Sequence, residues 1–119
     1  LSVHEGPQRL ARAPDVALEP GMVLSNEPGY YRAGEWGIRL ENLVHVVPAP
    51  AVEGGDAREM LAVANLTWVP IDRRLIDRGL LDRDEAAWCD AYHAEIRTRV
   101  GPLVEGAAAE WLSRATAPL

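Results

Sequence analysis

The chain has 119 residues and a formal net charge of −6, enough for one domain and one core but short for a complete two-lobed enzyme. Its hydrophobic fraction of 48% and charged fraction of 25% exclude wholesale disorder. No apolar run approaches the ~18 residues of a membrane span, and an acidic chain without a basic cluster argues against a nucleic-acid partner. All twelve basic residues are Arg, which reads as biased genome composition. The single Cys89 cannot form an internal disulfide, which suits a reducing, cytoplasmic setting. Cys89 itself reads as a small buried hydrophobe on a helix.

The chain opens on Leu1-Ser2-Val3-His4 without an initiator Met and reads as a segment of something longer. Residues 1–70 read as strands and turns, residues 71–119 as helices. Residues 22–27 form a short strand between two turn signals, Glu19-Pro20-Gly21 and Pro28-Gly29. Residues 38–47 are rich in β-branched side chains and predict a longer strand. The segment between them, with Gly29, Gly34 and Gly37, reads as the long loop of an antiparallel hairpin. Residues 61–69 predict a third strand, stopped by Pro70.

Helix signals follow. Asp82 with Glu85 three positions on has the form of a capping box. Trp88, Tyr92, Ile96 and Val100 recur at four-residue spacing and predict one buried helix face. Gly101-Pro102 breaks or kinks that helix. A last helix carries Val104, Ala108, Trp111 and Leu112 on one side and ends by Pro118. Such a stripe is buried either on the strand-rich body or on another subunit, with the first favoured.

Two carboxylates stand out. Glu27 ends the first strand, and Glu41 lies among the apolar Leu40, Leu43 and Val44 in the second. Burying a carboxylate there is costly unless it is paired or metal-bound. Strand alternation puts Arg39 on the same face as Glu41, so a surface ion pair is the plainer reading. The sharper reading is a hard divalent cation bound by carboxylates on adjacent strands. His45 and His93 do not complete such a site. His4, in Val3-His4-Glu5-Gly6-Pro7, is either a surface side chain near a turn or a proton donor.

Four motifs occur in order: Val3-His4-Glu5-Gly6-Pro7, Leu18-Glu19-Pro20-Gly21-Met22, Asn26-Glu27-Pro28-Gly29-Tyr30-Tyr31 and Gly37-Ile38-Arg39-Leu40-Glu41-Asn42. Together they resemble the C-terminal part of the Xaa-Pro aminopeptidase (aminopeptidase P) family of pita-bread metallopeptidases. Leu66-Thr67-Trp68-Val69-Pro70-Ile71-Asp72, Leu75-Ile76-Asp77 and Trp88…Tyr92-His93 resemble the helical extension of the longer members.

The resemblance implies an α+β fold, with residues 1–70 as the C-terminal part of the pita-bread lobe, a curved antiparallel sheet, and residues 71–119 as a helical extension linked to homodimer formation. It implies that Glu27 is a metal ligand and that Glu41 bridges two divalent ions, with Mn²⁺ the usual metal. His4 would contact substrate as the catalytic donor, while Arg39 and Tyr31 support the site by hydrogen bonds. The remaining ligands, two Asp and a His, would precede Leu1, so the isolated segment is expected to be inactive. The implied reaction is hydrolysis of the N-terminal Xaa-Pro bond of a peptide with Pro at its second position. Prolidase, and a non-catalytic pita-bread interaction module, are the alternatives. His-Glu-Gly-Pro and the helical tail favour aminopeptidase P over the first, and retention of His4, Glu27, Arg39 and Glu41 disfavours the second.

Overall fold

The computed structural model describes residues 6–10 and 15–119. His4 and the strand-like opening run lie outside the described residues. Among the described residues five strands precede two helices, in the order β1 (Val23–Asn26), β2 (Gly29–Arg32), β3 (Trp36–Arg39), β4 (Asn42–Pro48), β5 (Leu61–Asn65), α1 (Arg83–Val100) and α2 (Gly106–Ala115). All strand pairings are antiparallel, so the α+β expectation holds. Two compact units divide the chain, one ending at Thr67 and one spanning Trp68–Leu119.

In the first unit β4 is the central strand, flanked by β1 and β5. Its Val44 and Val46 alternate onto one face and are 1% exposed each. Leu24 sits opposite Val44, and Leu18 and Met22 pack against this cluster. Burying Leu24, Val44 and Val46 contributes about 1.5–3 kcal/mol each, which fixes the register of the sheet, because a one-residue slip would turn them outward.

The expected pairing of residues 22–27 with residues 38–47 is present, but two details differ. The intervening segment is not a loop: it forms its own hairpin, β2–β3. Its tip turns at Gly34, whose φ of 73° suits glycine, and Glu35 N–H donates to the Arg32 carbonyl at 3.0 Å. The long second strand is in turn interrupted at Leu40 and Glu41, between β3 and β4. Glu41 therefore lies at a strand break, not in mid-strand. The third strand is also shorter than expected, ending at Asn65.

In the second unit, two short 3-10 turns, Arg73–Leu75 and Arg78–Leu80, precede α1. Asp72 and Asp77 cap them by accepting from Arg74 N–H and Gly79 N–H. The capping box at α1 forms as expected: Glu85 N–H donates to Asp82 Oδ1 at 2.8 Å and Asp82 N–H to Glu85 Oε2 at 2.9 Å, an arrangement worth about 1 kcal/mol. A 3-10 turn over Gly101–Leu103, with Pro102 as its second residue, follows the end of α1.

The core gathers Tyr92, Ile96 and Leu112, with Trp68, Ile71, Val100 and Val104 around them. Cys89 is buried on α1, as expected. Trp88 and Trp111 depart from expectation, since both are about half exposed. A four-residue step advances about 40° around a helix beyond one full turn, so the ends of such a stripe rotate off the core while Tyr92 and Ile96 remain on it. Trp88 instead stacks on Tyr92 with ring centroids 5.5 Å apart. Ala108 is likewise exposed. The buried side of α2 is continued by Thr116, whose hydroxyl donates to the Leu112 carbonyl at 2.7 Å.

Candidate metal centre

The β1–β4 ladder pairs Asn26 with Asn42, and the β2–β3 ladder pairs Gly29 with Arg39. Both belong to one continuous register, so the two ladders are a single long hairpin with a gap. That register sets Pro28 opposite Leu40 and Glu27 opposite Glu41. Leu40 N–H donates to the Pro28 carbonyl at 3.1 Å across the gap, holding the two sides together beside the carboxylates.

Strand alternation then sorts the side chains. Leu24 and Val44 turn to the core. Ser25, Glu27, Gly29 and Tyr31 on one side, and Gly37, Arg39 and Glu41 on the other, share the opposite face. Like charges directly opposite one another on a sheet are destabilising, so a cation between Glu27 and Glu41 relieves their repulsion. In the structure that cation is Arg39. Its Nη1 donates to Glu27 Oε2 at 2.6 Å and lies 3.7 Å from Glu41 Oε2. Its Nε donates to the Tyr31 hydroxyl at 2.9 Å.

Two glycines make this reach possible. A Cβ on Gly37 would lie 2.6 Å from Tyr31 Cδ1, and one on Gly29 would lie 2.6 Å from the Tyr31 hydroxyl oxygen. The Tyr31 ring thus lies flat across both glycines, and any larger residue would lift it from Arg39. The Tyr31 hydrogen bond first, then the charges of Glu27 and Glu41, raise the Arg39 pKa further above its ordinary value. Arg39 is half exposed, and solvent screens ion pairs of that kind. The arrangement therefore contributes little to stability.

The residues brought together are Glu27, Arg39, Glu41 and Tyr31; His4 is outside the described residues. Sequence reading missed Ser25, whose hydroxyl donates to Glu27 Oε1 at 2.7 Å. The available signal was the two-residue spacing Ser25–Glu27 on one strand face. Gly6, Pro7 and Gln8 border the same cleft as Ser25 and Glu27, so the end of the His-Glu-Gly-Pro motif runs beside Glu27.

The donor set suits a hard divalent cation: two carboxylates already converge on one positive centre. A carboxylate has about four acceptor positions, so accepting hydrogen bonds and ligating a cation are compatible. Two ligands are too few for a complete site. No group of three or more His, Cys, Asp or Glu suited to hold a metal occurs among the described residues. By themselves these side chains would supply only part of a metal centre.

Two facing carboxylates on an antiparallel sheet thus share one Arg, and comparison with known proteins gives the family in which this arrangement stands. Residues 1–48 match the metallopeptidase family M24, and residues 59–119 match the C-terminal region of peptidase_M24. The chain belongs to metallopeptidase family M24.

It is similar to aminopeptidase P2 of Arabidopsis thaliana, 42% identical over all of this chain and 17% of the plant protein. It is also similar to a probable Xaa-Pro aminopeptidase P of Tuber melanosporum, 40% identical over 100% of this chain and 20% of the fungal one. Among solved structures it matches the X-prolyl aminopeptidase of Caenorhabditis elegans, described as a cytosolic enzyme with a di-nuclear active site. That match has a TM-score of 0.82 and 34% identity, and covers 100% of this chain and 20% of that one. The fold is thus that of the C-terminal part of a pita-bread aminopeptidase. The chain spans about a fifth of the length of the relatives it matches.

Proposed function

We propose that these residues are the C-terminal part of a longer metal-dependent aminopeptidase that hydrolyses the peptide bond between an N-terminal residue and a following Pro. The observation that carries this reading is the continuous register setting Glu27 against Glu41 across a strand gap, with Arg39 between them. The names of the similar proteins supply the substrate class, and the di-nuclear site of the nematode enzyme supplies the number of ions.

In this reading Glu27 would hold one divalent ion and Glu41 would bridge two, with Mn²⁺ as the metal. Bound there, two such ions supply Lewis-acid polarisation of the scissile carbonyl and a water of lowered pKa. Arg39 and Tyr31 do not ligate. Arg39 holds the Glu27 carboxylate in place by a charge-assisted hydrogen bond, and Tyr31 holds Arg39. His4 donates to the oxygen on which charge develops, the role of a preorganised donor. Residues 1–70 belong to the catalytic lobe, and residues 71–119 are an extension through which two copies of the protein associate. The cytosolic description of the nematode enzyme supports a cytoplasmic setting.

Substrate choice tests the activity. Full-length protein supplied with Mn²⁺ should release the first residue of a tripeptide whose second residue is Pro, and release should stop when the metal is chelated. The same tripeptide with Ala at the second position should be cut at least ~10²-fold more slowly. Cleavage of Xaa-Pro dipeptides with no activity on the tripeptide would make the protein a prolidase instead. No cleavage by a metal-loaded protein would leave it a binding module.

A further inference from the structure

Glu27 is held from both sides. Arg39 Nη1 donates to Oε2 at 2.6 Å, and the Ser25 hydroxyl donates to Oε1 at 2.7 Å. The two donors come from different strands. Ser25 is on β1 and partly buried, with its backbone fixed opposite Leu43 in the β1–β4 ladder. Arg39 ends β3. One hydrogen bond leaves a carboxylate able to swing about its Cγ–Cδ bond. Two, one on each oxygen, fix the plane in which its lone pairs lie. The Ser25 hydroxyl rotates freely about its C–O bond, so it can keep donating as the carboxylate adjusts to a cation.

Side chains that orient a ligand are typically worth 10–100-fold in metal affinity. From this geometry we infer that Ser25 is a positioning residue for the Glu27 carboxylate, presetting it for a divalent cation. The inference rests on the reading of Glu27 as a ligand. Ser25 touches neither the ion nor the substrate and acts only through Glu27. A small hydroxyl two residues before the Glu is what the strand period requires, because the side chain must lie on the same face and stay within one hydrogen bond.

Mn²⁺ titration of the full-length protein, followed by calorimetry without any substrate, tests this. Ser25→Ala should weaken Mn²⁺ binding about 10–100-fold with an unchanged melting temperature of the metal-free protein. Ser25→Thr, which keeps the hydroxyl, should recover affinity to within about threefold. Glu27→Ala serves as the reference and should weaken binding more than Ser25→Ala does. Wild-type affinity in Ser25→Ala beside a crippled Glu27→Ala would overturn the positioning role and leave the ligand assignment standing. Wild-type affinity in both would overturn the two together. Weak binding in both Ser25→Ala and Ser25→Thr would show that the hydroxyl is not responsible and would also overturn the inference.

Discussion

Replacing Glu41 with Gln in the full-length protein is expected to abolish peptidase activity and metal occupancy together. The amide keeps the size of the side chain but removes the negative charge that two cations would share. Metal polarisation contributes several kcal/mol to such a reaction, and each 1.36 kcal/mol is tenfold in rate, so a loss of at least ~10³-fold is expected. Stability should barely change. Glu41 is about half exposed and lies at 3.7 Å from Arg39, and surface substitutions of that sort stay within about ±0.5 kcal/mol. Loss of activity with intact folding and no bound metal is therefore the expected signature. Full activity with two bound ions would remove Glu41 from the site.

Mild acid should selectively loosen the helical unit through His93. This side chain is fully buried. Its Nε2 accepts from Ile71 N–H at 3.1 Å, which places the ring proton on Nδ1. No hydrogen-bond partner for Nδ1 occurs among the described residues. A second proton would have to enter at Nε2, against the Ile71 donor. Burial, and then the positive charges of Arg73 and Arg97, push the His93 pKa below its ordinary 6.5, with Asp90 opposing them.

The sign follows from proton linkage. In the unfolded chain His93 takes its proton near 6.5, while in the folded unit it resists. Stability is thus complete above about pH 6.5 and falls as the pH drops below it. The loss has a limiting slope of about 1.4 kcal/mol per pH unit until the folded-state pKa is reached. Acid titration of helical circular dichroism should show this loss, and His93→Gln, whose amide oxygen can accept from Ile71, should flatten it. An unchanged slope in His93→Gln would assign the acid sensitivity to other groups.

What could be read from the sequence depended on how local each signal is. The Asp82–Glu85 capping box and the start of α1 follow from four adjacent residues, and they form as written. The core of the first unit is less legible, because Leu43, Val44, Val46 and Val47 are all apolar and only the strand pairing turns Val44 and Val46 inward. The β2–β3 hairpin was hidden because Gly29, Gly34 and Gly37 are also the residues of loops. Their reason lies across the strand, in the Tyr31 ring that covers two of them. The partner of Glu41 was read as Arg39 from strand parity, and the two are indeed near each other. The opposition of Glu41 to Glu27, however, depends on a register carried through a gap, which no short window contains. Ser25 by itself gives no signal in the sequence, because a lone serine on a strand shows no chemistry until its hydroxyl meets a carboxylate.

The helical stripe shows the opposite failure. Four-residue spacing promised four buried side chains, and the core received Tyr92 and Ile96 while Trp88 stayed about half exposed. The half-exposed Trp88 and Trp111 are compatible with the proposed association of two copies through residues 71–119.

The proposed site requires Glu27 and Glu41 to share its metal. Anomalous diffraction from crystals of the full-length protein grown with Mn²⁺ measures this directly. Two peaks about 3.5–4 Å apart are expected, with Glu41 contributing an oxygen to each and Glu27 ligating one. Peaks remote from both residues, or no peak beside Glu41 in protein that cleaves Xaa-Pro peptides, would contradict it.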